Sequence, residues 1–365
     1  MNTARLGTLI RLELIQRTRS VAWYVLLGIF AVVLLIVSLL SFVALAWSPE
    51  PGQWIFSTIV YITLLLVVLV SPTLSGNAIN GDRDAAVLAP VQVTLATTGE
   101  ILIGKFLAAW VAGLAFVLVS VPFLVIATLV GESHPLTVLV SLAVMILEIG
   151  VVAAIGVALS GILARPLFSV AATYLVVAAL TVGTVIAFSL VGFAAQSEAT
   201  NTSRYAEYPA ADGDDFPCYP GEVPSEAYPC NPDLGEVCSE WETYTYNVPR
   251  FDRVWWMLAA NPFVILADAT PTTFNAQGYP EDLFGQVKLG VRSAQQPPEL
   301  EYVWDGCAPY QEEYYPTPEE IIEGSAPSWF VGLSLQMLLA AALLWWAWAR
   351  TGTPARKLPP GTRIA

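Results

Sequence analysis

Six long apolar runs, separated by short polar breaks and one long one, organise this chain. They read Val21–Trp47, Trp54–Leu74, Phe106–Val130, Pro135–Leu163, Pro166–Phe193 and Trp329–Ala349. Each reaches the length of about 20 residues that a helix needs to cross a bilayer. Unpaired backbone groups are very costly in hydrocarbon, so the pattern predicts helices. The first run is far too long for a signal-peptide core and no small-residue cleavage site follows it, so it is read as a retained span. The predicted fold class is an all-α polytopic membrane protein with six transmembrane helices. An extracytoplasmic, disulfide-containing, loop-rich domain is inserted between the fifth and sixth. The expected parts are a cytosolic interfacial helix over 1–20, transmembrane helices one to five over 21–193 with a cytosolic coupling segment at 75–105, the outer domain over 194–328, the sixth helix over 329–349 and a cytosolic tail over 350–365.

Composition agrees with the apolar pattern. Of 365 residues, 56% are hydrophobic and only 13% charged, against about 25% charged in soluble domains. The basic residues then orient the spans. Arg5, Arg11, Arg17 and Arg19 precede the first, Arg83 and Lys105 follow the second, Arg165 follows the fourth, and Arg350, Arg356, Lys357 and Arg363 follow the sixth. The alternate short loops, Ser48–Gln53 and Gly131–His134, carry no Lys or Arg. Both termini are therefore expected in the cytosol of a cell whose plasma or inner membrane holds the chain, with residues 194–328 outside.

The net charge of −14 is unevenly spread, because residues 196–327 hold 23 Asp and Glu against 5 Lys and Arg. Such an acidic segment reads first as a solvated surface and second as a cation-binding patch. The same region holds 11 of the 14 tyrosines and 16 of the 26 prolines, which suggests short strands and loops. All four cysteines, Cys218, Cys230, Cys238 and Cys307, lie here. An even count confined to the outer side reads as two disulfides. Three pairings exist; Cys218–Cys230 with Cys238–Cys307 is favoured because the first closes a small proline-rich loop. Zinc is the sharper alternative, but the short cysteine pairs it uses are missing and the one histidine, His134, lies in a different loop. The apolar stretch Val254–Asp268, broken by Pro262, is too short to span; it reads as a buried core helix or a helix dipping into the outer leaflet. Asn201-Thr202-Ser203 matches a glycosylation sequon and carries no weight.

The chemistry-bearing stretch is a charged island between the second and third spans. It opens Asp82-Arg83-Asp84 and closes Thr97-Thr98-Gly99-Glu100-Ile101-Leu102-Ile103-Gly104-Lys105. Gly99 to Lys105 fits the first positions of a phosphate-binding loop, but Phe106 stands where Ser or Thr should ligate magnesium and no strand precedes it. A helix start explains the residues better. Thr97 can cap the first amides while Glu100 reaches back as a capping box. Glu100 complements the helix dipole, and Lys105 is placed to snorkel toward headgroups. Asn80 or Asp82 can start a second short helix through Val87, Leu88 and Val91.

Here the chain resembles the type-2 ATP-binding-cassette exporter permeases. Their mark between the second and third spans is an acidic-Arg-acidic triplet, a short coupling helix, then Glu, several apolar residues and Gly-Lys. Asp82, Arg83, Asp84, Glu100, Gly104 and Lys105 match that pattern. Ala86 stands where the family often has Gly, and Thr94-Leu95 where it has Thr-Pro. Glu13 and Arg17 precede the first span like the family's interfacial connecting helix, although they intrude on the face formed by Leu6, Ile10 and Leu14. The resemblance implies coupling to an ATPase on a separate cytosolic chain, which would carry the ATP and magnesium, and pairing with a second permease copy or paralogue as a dimer in membrane lipid. No cofactor is expected on this chain, no nucleic-acid partner, and no catalysis, since it offers no nucleotide loop, triad or metal site.

Glu148 is the one acidic residue deep inside a span. It reads either as a substrate-path or coupling residue or as a hydrogen-bonded packing contact, among small residues that favour close helix approach. The rival to the exporter is a six-span anchor presenting the outer domain as a receptor, envelope-assembly or immunity module. A secondary transporter is third, because the chain has no inverted repeat. The substrate is not legible.

Overall fold

The computed structural model describes residues 2–45, 51–85, 97–131, 133–207, 216–217, 230–231, 237–308 and 314–351. Helices dominate: α1 (Thr3–Thr18), α2 (Val21–Leu45), α3 (Pro51–Ser75), α4 (Asn80–Asp84), α5 (Thr98–Gly131), α6 (Pro135–Ile162), α7 (Pro166–Ala194), α8 (Trp256–Ala259), α9 (Pro262–Ala269), α10 (Leu283–Ser293), α11 (Pro318–Gly324) and α12 (Trp329–Thr351). Six of them, α2, α3, α5, α6, α7 and α12, are long and apolar enough to cross a membrane, as the apolar runs predict.

Among these, α6 forms the centre, buried along its second half from Glu148 to Ile162. Small side chains make that possible. A Cβ on Gly156 would collide with the Ser75 hydroxyl of α3, and one on Gly332 of α12 would collide with the Ala259 carbonyl. At these crossings only glycine lets the backbones meet. By contrast α2 turns most of its leucines and valines outward, the arrangement lipid would cover. Pro166 starts α7, where its missing N–H costs nothing. The π-helical stretch Ala179–Gly183 inside α7 has no sequence signal, because a wide turn arises from packing and not from a residue type.

Two compact units divide the chain. The first contains residues 1–188, 255–294 and 317–365, and the second residues 189–254 and 295–316. Much of the segment read as one outer domain therefore clusters with the helices. The Val254–Asp268 stretch resolves into α8 and α9, with Asn261 capping and Pro262 at the first helical position. Ile265, Leu266 and Phe284 join the core that also holds Phe56, Ile59 and Met145, so the buried-core alternative describes this stretch. Asp268 pins it: its carboxylate accepts from Arg292 Nε at 2.7 Å, from the Ser328 amide at 2.6 Å and from the Trp329 amide at 2.9 Å, so it holds α10 and caps α12.

The second unit is built on a three-stranded sheet in the order β2-β1-β3, with β1 Gln196–Arg204, β2 Glu242–Pro249 and β3 Glu301–Asp305. β1 runs antiparallel to β2 and parallel to β3. Cys238 and Cys307 form a disulfide with Cα atoms 6.0 Å apart. The Cys218–Cys230 pairing lies outside the described residues, as does the tail beyond Thr351.

Candidate functional site

The charged island folds at one end of the helical unit, where α1, α4 and α5 meet. α5 begins at Thr98, upstream of the apolar run, so Glu100, Gly104 and Lys105 ride on the first turns of a spanning helix. Thr97 and Glu100 make the capping box: the Thr97 amide donates to Glu100 Oε2 at 2.9 Å and the Glu100 amide to Thr97 Oγ1 at 3.3 Å. The other carboxylate oxygen accepts from the Asn2 amide at 2.6 Å, and the Asn2 side chain caps α1. One carboxylate thus fixes the starts of two helices 98 residues apart.

Lys105 does not extend outward. Its side chain is 5% exposed, and its ammonium sits 2.6 Å from both Glu13 Oε1 and Asp82 Oδ2. Glu13 comes from α1 and Asp82 from α4, so the amine joins three elements. Gly104 gives α1 its seat, since a Cβ there would press on Leu9. Glu13 and Arg17, which intrude on the apolar face of α1, therefore face protein partners. Arg17 donates to the Leu74 carbonyl at the end of α3 at 2.7 Å. Burial pulls its guanidinium below the ordinary value and Glu13 raises it; it stays a cation.

Arg83 turns inward from the triplet. It donates to Asn80 Oδ1 within α4 at 3.3 Å and, at the end of α6, to the carbonyls of Gly161 and Leu163 at 3.3 and 3.4 Å. Asn80 starts α4, but its side chain does not cap; it is buried and donates to Ser169 Oγ at 3.0 Å. Ser160 Oγ accepts from the Ile79 and Asn80 amides, and Ser169 donates onward to Gly76. This Asn80–Ser160–Ser169 hub escaped sequence reading; a polar residue between apolar Ile79 and the triplet was its faint signal. Asp84 is exposed. The expected continuation through Val87, Leu88 and Val91, with Ala86 and Thr94-Leu95, lies outside the described residues.

Glu148 is fully buried in α6. Neither carboxylate oxygen meets hydrogen-bond geometry with a described residue; the Gln336 side chain of α12 is its polar neighbour. No ion pair links Glu148 to Lys105 among the described residues. Among the described residues, no group of three or more His, Cys, Asp or Glu is placed to hold a metal. What the cluster can do is mechanical: it locks α1, α4 and α5 so that a push on α4 moves them together. No protein-family model matches the chain, and no curated protein matches it.

Proposed function

We propose that this chain is the permease subunit of an ATP-driven exporter, moving a substrate out across the cell membrane. A separate cytosolic ATPase would dock on the 82–105 segment and carry the ATP and magnesium, and a second permease copy or paralogue would complete the pathway. In this reading both termini are cytosolic, the second unit lies outside, and the chain itself performs no catalysis. The observation that carries the proposal is Lys105 held between Glu13 and Asp82 at 2.6 Å each. Asp82 of the acidic-Arg-acidic triplet and Lys105 of the Gly-Lys helix start build this joint with Glu13 of α1.

The joint suits a lever. An ATPase pair that closes on ATP contacts α4 differently in its two states, and that difference is what can drive a conformational change. Motion of α4 would reach α5 through Lys105 and α6 through Arg83. An Asp84→Cys variant tests the contact: it should cross-link to a co-expressed ATPase in a nucleotide-dependent way. Absence of any cross-link in a complex that turns over ATP would remove the docking assignment.

The compact second unit favours one rival, a six-span anchor presenting that unit for interaction. Under that reading no ATPase associates, and deletion of residues 82–105 leaves activity in place.

A further inference from the structure

One face of the second unit's sheet carries aromatic rings where a core face would carry aliphatic side chains. Asn201 and Ser203 of β1, two residues apart, share that face. The register sets Asn201 between Tyr244 of β2 and Tyr302 of β3, and Ser203 between Glu242 and Trp304. Asn201, Ser203, Tyr205, Tyr302 and Trp304 line a cavity of about 270 Å³ there. Tyr205, Tyr244, Tyr246 and Trp304 are exposed. Among the described residues, none of these rings joins a buried core cluster. The opposite face is polar: Thr202 shares a hydroxyl hydrogen bond with Thr243, and Arg204 pairs with Asp305.

The chemistry of the lining selects the occupant. None of its five side chains carries a charge, so it offers an ion no counter-charge. Asn201 Oδ1 is buried and has no hydrogen-bond partner among the described residues, a costly state for an amide oxygen. A hydroxyl seated in the cavity would satisfy it after a small turn of the amide, and the Ser203 hydroxyl beside it both donates and accepts. Aromatic ring faces are electron-rich and attract the C–H faces of a sugar ring. Glu242 at the rim accepts from hydroxyls as well. With 23 Asp and Glu against 5 Lys and Arg over residues 196–327, the surrounding field turns anions away.

We propose that this face binds an uncharged oligosaccharide, with sugar rings stacked on Trp304, Tyr302 and Tyr205 and hydroxyls bonded to Asn201 and Ser203. Tyr244 and Tyr246, with ring centroids 5.9 Å apart, continue the aromatic surface across β2 and extend it beyond one sugar. The inference is independent of the ATPase. It rests on the outward placement of the second unit only for where such a glycan would be met.

The test is isothermal titration calorimetry of the full chain in a detergent without a sugar headgroup. Cellohexaose, maltohexaose and chitohexaose are the uncharged probes, hexagalacturonate the anionic one and hexalysine the cationic one. The expected result is binding of at least one uncharged hexamer in preference to both charged probes. Trp304→Ala and Tyr205→Ala should each weaken it about tenfold, while Val303→Ala, on the opposite face, should leave it unchanged. Trp304 is 43% and Tyr205 56% exposed, and two separate positions keep the result readable if one variant misfolds. Failure of all three uncharged hexamers to bind overturns the proposal, as does an affinity unchanged in both variants. Tighter binding of hexalysine or hexagalacturonate than of every uncharged hexamer also overturns it, marking the face as a site for a charged ligand. ATPase association is measured separately, and either outcome there leaves this one standing.

Discussion

The ammonium of Lys105 lies 2.6 Å from the Glu13 carboxylate, joining the helix before the first span to the helix that forms the third. Asp82 sits at the same distance on another side. Removing the cation leaves two partly buried carboxylates facing each other, which is costlier than removing the whole group. Lys105→Met should therefore destabilise the protein by about 3 kcal/mol, and adding Glu13→Gln should recover part of that loss. Thermal unfolding in detergent of the single and double variants measures both.

The same physics applies where α9, α10 and α12 meet. Asp268 is fully enclosed and serves Arg292, Ser328 and Trp329 together. Asp268→Asn should cost about 3 kcal/mol, because it strands a buried guanidinium and weakens the cap on α12. Denaturant unfolding should show the midpoint falling with an unchanged slope.

The spans were legible because an apolar run of sufficient length has few other solutions in a chain this poor in charge. The Thr97–Glu100 capping box was legible too, since both partners lie within one turn. The partners of Lys105 were not: Glu13 is 92 residues away, and only packing of α1 on Gly104 brings it there. The grouping of residues 255–294 with the helices was equally hidden. α9 and α10 have 8 and 11 residues, too short to span. What draws them in is Phe284, whose ring packs edge-on to Phe56 and beside Tyr61, a contact no local pattern announces.

Lys288 gives a pH signature. Its buried amine donates to the Thr270 carbonyl at 2.6 Å. Burial pushes it down to about 8 from 10.5, with Asp268 and Asp282 opposing the shift and Arg292 adding to it. The unfolded chain then binds more protons than the folded one between those values, so stability rises with pH across that window. The gain should be about 3 kcal/mol. Lys288→Met should lose this rise, read as the difference between the two unfolding profiles from pH 8 to pH 10.5.

Cys238 and Cys307 close a loop with a sequence separation of 69. Chain entropy assigns such a link up to about 4 kcal/mol. Peptide mapping without reductant should recover Cys238 joined to Cys307, and Cys238→Ser with Cys307→Ser should make the segment from Gln196 to Pro249 markedly more sensitive to protease.

The central claim is that the triplet beside Lys105 is where an ATPase pushes. Asp84 tests it best, because it is exposed and its reversal leaves the Lys105 joint intact. The direct measurement is ATP turnover and co-purification of any ABC ATPase encoded beside this gene, co-expressed with the unaltered chain and with Asp84→Arg. The account predicts a stable complex with the unaltered chain and about a tenfold loss of association and coupled turnover in the variant. Association and turnover unchanged by the reversal, or no ATPase bound to the unaltered chain, would contradict it.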